Sequence, residues 1–138
     1  MLIRKSPGGS IYPYYYKDGE LFGMHFGSFL DDEDGLLARM QAEEAFLAGT
    51  SRSLPMWIDF YESRLTDRVL AEFLQGFYRL RARVTRLALV GCSARDQRRV
   101  LRSAHIAGIE LPFPLRFFDD PEEAKSWLVG RPFEESGL

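Results

Sequence analysis

The chain has 138 residues, of which 46% are hydrophobic and 28% charged, a balance that is typical of one globular domain and excludes disordered, collagen-like and coiled-coil chains. Its formal net charge of −2 provides no overall field that would recruit nucleic acid or an acidic membrane. Because the single cysteine has no partner and no apolar stretch approaches the roughly 20 residues of a membrane span, we expect a cytoplasmic protein without a transmembrane segment.

The first predicted element is a β-hairpin over residues 10–29. Its two aromatic-rich arms flank Asp18 and Gly19, the preferred residue pair for a two-residue type I′ turn. That turn pairs Tyr16 with Leu21, and side chains then alternate between the two faces of the hairpin. One face is apolar and faces the core, whereas the other carries Tyr12, Tyr14, Tyr16 and His25. Such a polar aromatic face suits a ligand wall or a subunit interface, or else it lies under a helix.

Helices and strands alternate along the rest of the chain. Apolar spacing and capping residues predict helices over residues 31–49, from Thr66 or Asp67 to residue 80, over 93–107 and from residue 120 onward. Short apolar segments predict strands over residues 54–61, 86–92 and 115–118. The order ββαβαβαβα indicates an α/β fold with a single mixed, mainly parallel sheet and an antiparallel N-terminal hairpin. We expect residues 10–130 to form one domain, with 1–9 and 131–138 as tails.

Four segments of the chain, in this order, resemble the SpoIIAA-like family of soluble, STAS-like bacterial domains. They are HFGSFLDDED at 25–34, WIDF at 57–60, RLALVG at 86–91 and FFDDPEEAKSWL at 117–128. Anti-sigma-factor antagonists and the Sec14 lipid-transfer proteins share the fold of this family in outline. The resemblance implies a sheet covered by helices and a binding or regulatory role, and it implies no enzyme.

The chain departs from the antagonist branch of that fold at one position. Antagonists carry a phosphorylatable serine in an Asp-Ser-Ser-Gly pattern at the start of the helix after the third strand. The comparable stretch here is LTDRVL at 65–70, without either serine. Thr66 and Asp67 are therefore the candidate regulatory residues, by phosphorylation of the threonine or by phosphate mimicry of the aspartate. A helix cap and an ordinary first-turn acid are the alternative interpretation.

Charge is unevenly distributed along the chain. Residues 64–102 hold ten arginines against three acids, a balance of +7, so the remaining residues carry −9. Four arginines follow Ser93 at positions i, i+3, i+4 and i+7 of one predicted helix face: Arg95, Arg98, Arg99 and Arg102. Together with Ser93 they form a candidate site for a small anion or an acidic partner, the alternative being a solvated face. Nucleic acid is disfavoured, since the nearby aromatic residues follow core spacing.

Residues Cys92 and Ser93 lie where a predicted strand ends and a helix begins, the place where α/β sheets bind anions and lower thiol pKa values. A nucleophile there would make the chain a small hydrolase or thiol enzyme. However, Arg95 replaces the second glycine of the Gly-x-Ser-x-Gly pattern. Ser93 as a helix cap and Cys92 as a small buried hydrophobic residue explain both without any catalytic role. Two distant histidines and one cysteine offer no metal-ligand spacing, so we expect neither a metal nor a cofactor.

Three functional hypotheses follow from these residues. The first is a non-enzymatic binding or regulatory module that contacts another protein, or itself as a homodimer, through charge-complementary surfaces. The second is a carrier for a small anionic molecule or a lipid, held in a pocket between the sheet and its helices. The third is the hydrolase or thiol enzyme at Cys92 and Ser93.

Overall fold

Two β-sheets and a set of flanking helices organise residues 3–130, the part of the chain that the computed structural model describes. The elements follow in the order β1 (Arg4–Lys5), β2 (Ile11–Tyr12), β3 (Tyr14–Tyr16), β4 (Gly19–His25), α1 (Glu33–Ala48), β5 (Leu54–Asp59), α2 (Asp67–Arg79), β6 (Val84–Val90), α3 (Ala94–Ala107), β7 (Leu115–Phe118) and α4 (Pro121–Val129). This architecture confirms the predicted α/β class.

The larger sheet has the strand order β3-β4-β5-β6-β7. β3 runs antiparallel to β4, and every later pairing is parallel. Each parallel connection passes through one helix, so α1, α2 and α3 pack on the same face of the sheet, as same-handed crossovers between adjacent strands require. α4 packs on the opposite face. The carboxyl ends of β4 to β7 meet at one edge of the sheet.

The core has two layers because alternate strand residues face opposite helices. The larger layer joins β4, β5 and β6 to α1 and α2 through side chains that include Phe22, Met24 and Ile58. The smaller layer places Leu21, Trp57, Ala88 and Val90 under Ala124 and Leu128 of α4. The predicted caps are confirmed, since the side chains of Thr66, Ser93 and Asp120 each accept a backbone N–H of the first helical turn.

The hairpin register differs from the prediction by two residues. Tyr14, not Tyr16, pairs with Leu21, and the two-residue turn is Lys17-Asp18. Shifting by two preserves which side chains share a face, so Tyr14 and Tyr16 remain on the face of Leu21. The ladder breaks at Pro13, whose nitrogen cannot donate, and Tyr12 belongs to the smaller sheet.

Part of the predicted tail over residues 1–9 belongs to the smaller sheet. Arg4–Lys5 pair with Ile11–Tyr12, and the turn between them is attached to α1. Glu43, only 1% exposed, accepts the Ser6 hydroxyl at 3.1 Å and the Gly8 N–H at 3.3 Å. Desolvation by burial raises the pKa of Glu43, against the hydrogen bonds from Ser6 and Gly8. The predicted tail over residues 131–138 lies outside the described residues.

Candidate binding sites

Ion pairs between helices neutralise much of the arginine-rich region. Arg79 binds Glu44 of α1 through two nitrogens, at 2.6 and 2.8 Å, and Arg68 lies 3.3 Å from Glu33. The acids of α1 therefore face the arginines of α2 directly, so the uneven charge along the sequence does not produce fully separate basic and acidic surfaces. Of the ten arginines between 64 and 102, three have no ion pair or hydrogen bond to another described residue: Arg95, Arg98 and Arg102.

Arg99 has a different environment from the other arginines of α3. Its guanidinium lies 2.8 Å from Asp67 and 3.0 Å from Asp96, and it also donates to the backbone carbonyl of Leu65. The hydrogen bonds to the two carboxylates raise the pKa of Arg99, that to Asp67 most strongly. The side chain is only 24% exposed. Arg99 thus joins α3 to the start of α2, and it is not available to an external anion in the way the sequence predicted.

The remaining arginines form a basic face on α3, which we define as Arg95, Arg98 and Arg102. All three are exposed, and the aliphatic side chains of Leu101 and Ile106 beside them are 58% and 76% exposed. Arg102 and Ile106 also border a groove of about 370 Å³ between α2 and α3. The other residues that line this groove include Ala71, Leu74, Gln75 and Ser103. Of the three arginines, Arg102 lines this groove, whose other charged residues are the paired Asp67 and Arg99.

The strand end at Cys92 and Ser93 does not provide an activated nucleophile. Cys92 is buried, and desolvation, followed by the charge of Asp96, raises its pKa to about 12. At neutral pH the sulfur therefore remains a thiol, which is a poor nucleophile. The Ser93 hydroxyl accepts the Asp96 N–H at 3.1 Å as the helix cap.

The helix start at Thr66 and Asp67 is occupied by structural contacts. The Thr66 hydroxyl accepts the Val69 N–H at 3.1 Å and donates to the carboxylate of Glu33. Asp67 accepts from Arg99. A phosphoryl group on Thr66 would therefore lie against the Glu33 carboxylate, and like charges at that distance repel.

The polar aromatic face of the hairpin forms part of a second surface groove, which we call the aromatic groove. It has a volume of about 340 Å³ and lies beside α4, with Tyr14 and His25 among its walls. Trp57 of β5, Lys125 of α4 and the residues Gly9, Ser10, Ile11, Leu21 and Gly23 complete it. The prediction that Tyr12 belongs to this wall is wrong. Tyr12 is 4% exposed and packs edge-on against Phe22 and Phe46 in the main core.

Tyr16 lies next to the aromatic groove, where it packs on the smaller core layer with α4. The Lys125 ammonium stands 5.6 Å from its ring centre, 5.8 Å from that of Tyr14 and 5.5 Å from that of Trp57. It also pairs with Glu122 at 3.3 Å, and its side chain is 19% exposed. Neither Trp57 nor Lys125 was among the predicted groove residues. The alternation of side chains along the strands indicates that Trp57 shares a face with Leu21. Nothing in the sequence around Lys125 indicates that this residue reaches the groove.

The floor of the aromatic groove depends on a glycine. A Cβ atom at Gly23 would lie 2.4 Å from the Trp57 indole nitrogen, so the ring lies directly on the backbone of β4. The His25 ring packs edge-on against Trp57 at 5.3 Å, and its Nδ1 is 3.6 Å from Asp59. The indole N–H of Trp57 has no hydrogen-bond acceptor within residues 3–130.

Fold and surface together define an α/β domain with one basic face and one aromatic groove on opposite sides of its sheet. Comparison with models of protein families, with curated proteins and with solved structures finds no match to the chain. In the described part of the chain, no three His, Cys, Asp or Glu side chains are grouped as metal ligands. Within the same residues no helix combines the length and apolar character needed to cross a bilayer.

Proposed function

We propose that the chain is a non-enzymatic binding module that recognises an acidic, partly apolar segment of another protein through α3. The observation that carries the proposal is the basic face itself, because Arg95, Arg98 and Arg102 lack the ion pairs and hydrogen bonds that occupy the neighbouring arginines. Exposed cations on successive turns of one helix repel each other, and carboxylates from a partner would relieve that repulsion.

The groove between α2 and α3 supports a protein partner over a simple anion. A phosphate or a single carboxylate needs no apolar contact, whereas Ile106 is 76% exposed at the edge of the groove. Interfaces of stable complexes combine an apolar centre with a charged rim. An acidic segment with interspersed leucine or phenylalanine side chains matches both features, since its apolar groups enter the groove while its acids meet Arg98 and Arg102.

The resemblance of the sequence to the SpoIIAA-like family supports the same proposal, since it implies a binding or regulatory role. The high pKa of Cys92 counts against the thiol enzyme. The cavity between the sheet, α1 and α2 has a volume of about 20 Å³, which is room for about one water molecule and not for an acyl chain.

A phage-displayed library of random peptides tests the proposal, because it offers the protein acidic and apolar side chains in every order. We expect selected peptides to alternate Asp or Glu with large apolar residues and to bind with a Kd that weakens at high salt. The variant Arg98→Gln/Arg102→Gln should lower the affinity at least about tenfold, as two charge-assisted contacts are lost. The charge-matched control is Arg64→Gln/Arg81→Gln, because both of these arginines lie off α3.

Two outcomes would refute the proposed function. One is a set of selected peptides without acidic residues. The other is equal loss of affinity in the α3 variant and the control, which would show that only the total charge of the protein matters. Fluorescence anisotropy with a labelled peptide measures both affinities directly.

A further inference from the structure

The aromatic groove lies on the opposite face of the sheet from α3. We propose that it binds a small, flat aromatic carboxylate, with the ring against Tyr14 above the floor that Trp57 forms and the carboxylate at Lys125. This proposal does not depend on the proposed function, since none of the residues of the aromatic groove belongs to α2 or α3.

The walls of the groove select a flat ring. Tyr14 is 39% exposed although it stands on the sheet, and Trp57 lies close enough to Gly23 to exclude even a Cβ atom. Aromatic rings attract other rings in stacked or edge-on arrangements, beyond the gain from burying apolar area. A volume of about 340 Å³ falls at the small end of ligand pockets, which favours a compact molecule over a long chain.

Two hydrogen-bond donors favour a ligand that carries a negative charge at one end of its ring. The Lys125 ammonium is held among three aromatic rings, and its one carboxylate partner among the described residues, Glu122, is exposed to solvent. The indole N–H of Trp57 is the second donor, since it lacks an acceptor within residues 3–130. A carboxylate accepts from both, and a charge-assisted hydrogen bond from a poorly exposed ammonium is stronger than one formed in open solvent.

The negative charges near the groove limit where the carboxylate of the ligand sits. Glu122 lies on the solvent side of Lys125, and Asp59 lies beside His25 at the other end. A ligand carboxylate at Lys125 replaces Glu122 as the partner and stays away from Asp59. A dianionic ligand would meet Asp59 with its second charge, so the site favours a monocarboxylate.

Nuclear magnetic resonance of the ¹⁵N-labelled protein tests this site through its own tryptophan. The chain has two tryptophans and therefore two indole N–H signals, which the variant Trp127→Phe assigns. On titration with 2-naphthoate we expect the Trp57 signal to move, with a Kd of about 1 mM or tighter for a ligand of this size. The neutral 2-naphthamide and the aliphatic decanoate should each bind at least about tenfold more weakly.

A matched pair of lysine variants separates recognition from total charge. Lys125→Met keeps the apolar stem and removes the ammonium, and it should weaken 2-naphthoate about tenfold while leaving 2-naphthamide unchanged. The control is Lys17→Met, because Lys17 also stands over the Tyr16 ring, at 5.3 Å, but it does not line the groove. The amide spectrum of each variant confirms that it is folded.

Three results would overturn the proposal. In the first, the Trp57 signal does not move when the concentration of 2-naphthoate reaches about ten times its expected Kd. Decanoate would bind as tightly as 2-naphthoate, which would identify a site for aliphatic chains. Alternatively, Lys17→Met would weaken 2-naphthoate as much as Lys125→Met. None of these results bears on peptide binding at α3, so the two proposals fail separately.

Discussion

Replacing Arg99 by glutamine should destabilise the protein, whereas the same change at the neighbouring arginines of α3 should have little effect. Arg99 pairs with Asp67, which is almost fully exposed, and with Asp96 one turn away. Such pairs contribute about 0.5 kcal/mol each. Loss of the hydrogen bond to the Leu65 carbonyl adds about 1 kcal/mol, since this contact is partly buried. The total is about 2 kcal/mol, which lowers the Tm by about 8 °C in a chain of this length.

Thermal and urea unfolding, followed by circular dichroism, measure this loss. Arg98→Gln is the control, because Arg98 has no partner among the described residues and its substitution should change stability by less than about 0.5 kcal/mol. In about 1 M salt the Debye length falls to about 3 Å, so the two ion pairs weaken while the carbonyl hydrogen bond persists. The destabilisation should then shrink by about half. Equal losses in both variants would refute the assignment of Arg99 as the residue that joins α2 and α3.

Buried groups and close contacts lead to three more predictions. Burial raises the pKa of Glu43, so this group stabilises the fold when protonated and loses that contribution as the pH rises through its folded pKa. Glu43→Gln should therefore leave the Tm unchanged near about pH 4 and raise it near about pH 7.5. An unchanged Tm at both pH values would contradict this prediction. Iodoacetamide should label Cys92 only after denaturation, even in mildly alkaline buffer, since the pKa of its thiol is raised to about 12. Rapid labelling of the folded protein, measured by mass spectrometry, would contradict this by showing an accessible thiolate. Gly23→Ala should displace Trp57 and shift its fluorescence emission, because the added methyl carbon would lie 2.4 Å from the indole nitrogen; an unchanged spectrum would contradict that contact.

Local chemistry made most of the fold predictable. Thr66, Ser93 and Asp120 cap their helices as expected, because a short polar side chain before an apolar stripe satisfies the first backbone donors of a helix. The hairpin register was less predictable. Asp18-Gly19 favours one turn, yet the observed turn uses Lys17-Asp18 with Lys17 at a positive φ of 52°. Both registers bury the same face, so the hydrophobic pattern does not distinguish them.

The sites were harder to predict than the fold because they combine residues that are distant along the chain. Helical spacing correctly placed four arginines on one face of α3, but the separation of Arg99 from the others depends on Leu65 and Asp67 at the start of another helix. Likewise, Lys125 reaches the aromatic groove only because α4 crosses the face that carries Trp57. Periodicity within one element contains no information about such contacts.

The attachment of Ser6 and Gly8 to Glu43 has a practical consequence for the groove on the other side of the sheet. The same short ribbon that Glu43 secures also supplies Gly9, Ser10 and Ile11 to the wall of the aromatic groove. A chain shortened to begin at Pro13 would contain all five strands of the larger sheet, but it would lack that wall, the Tyr12 side chain of the main core and both donors to Glu43. If both proposed sites exist, proteolytic trimming within this ribbon should weaken ligand binding in the aromatic groove more than peptide binding at α3.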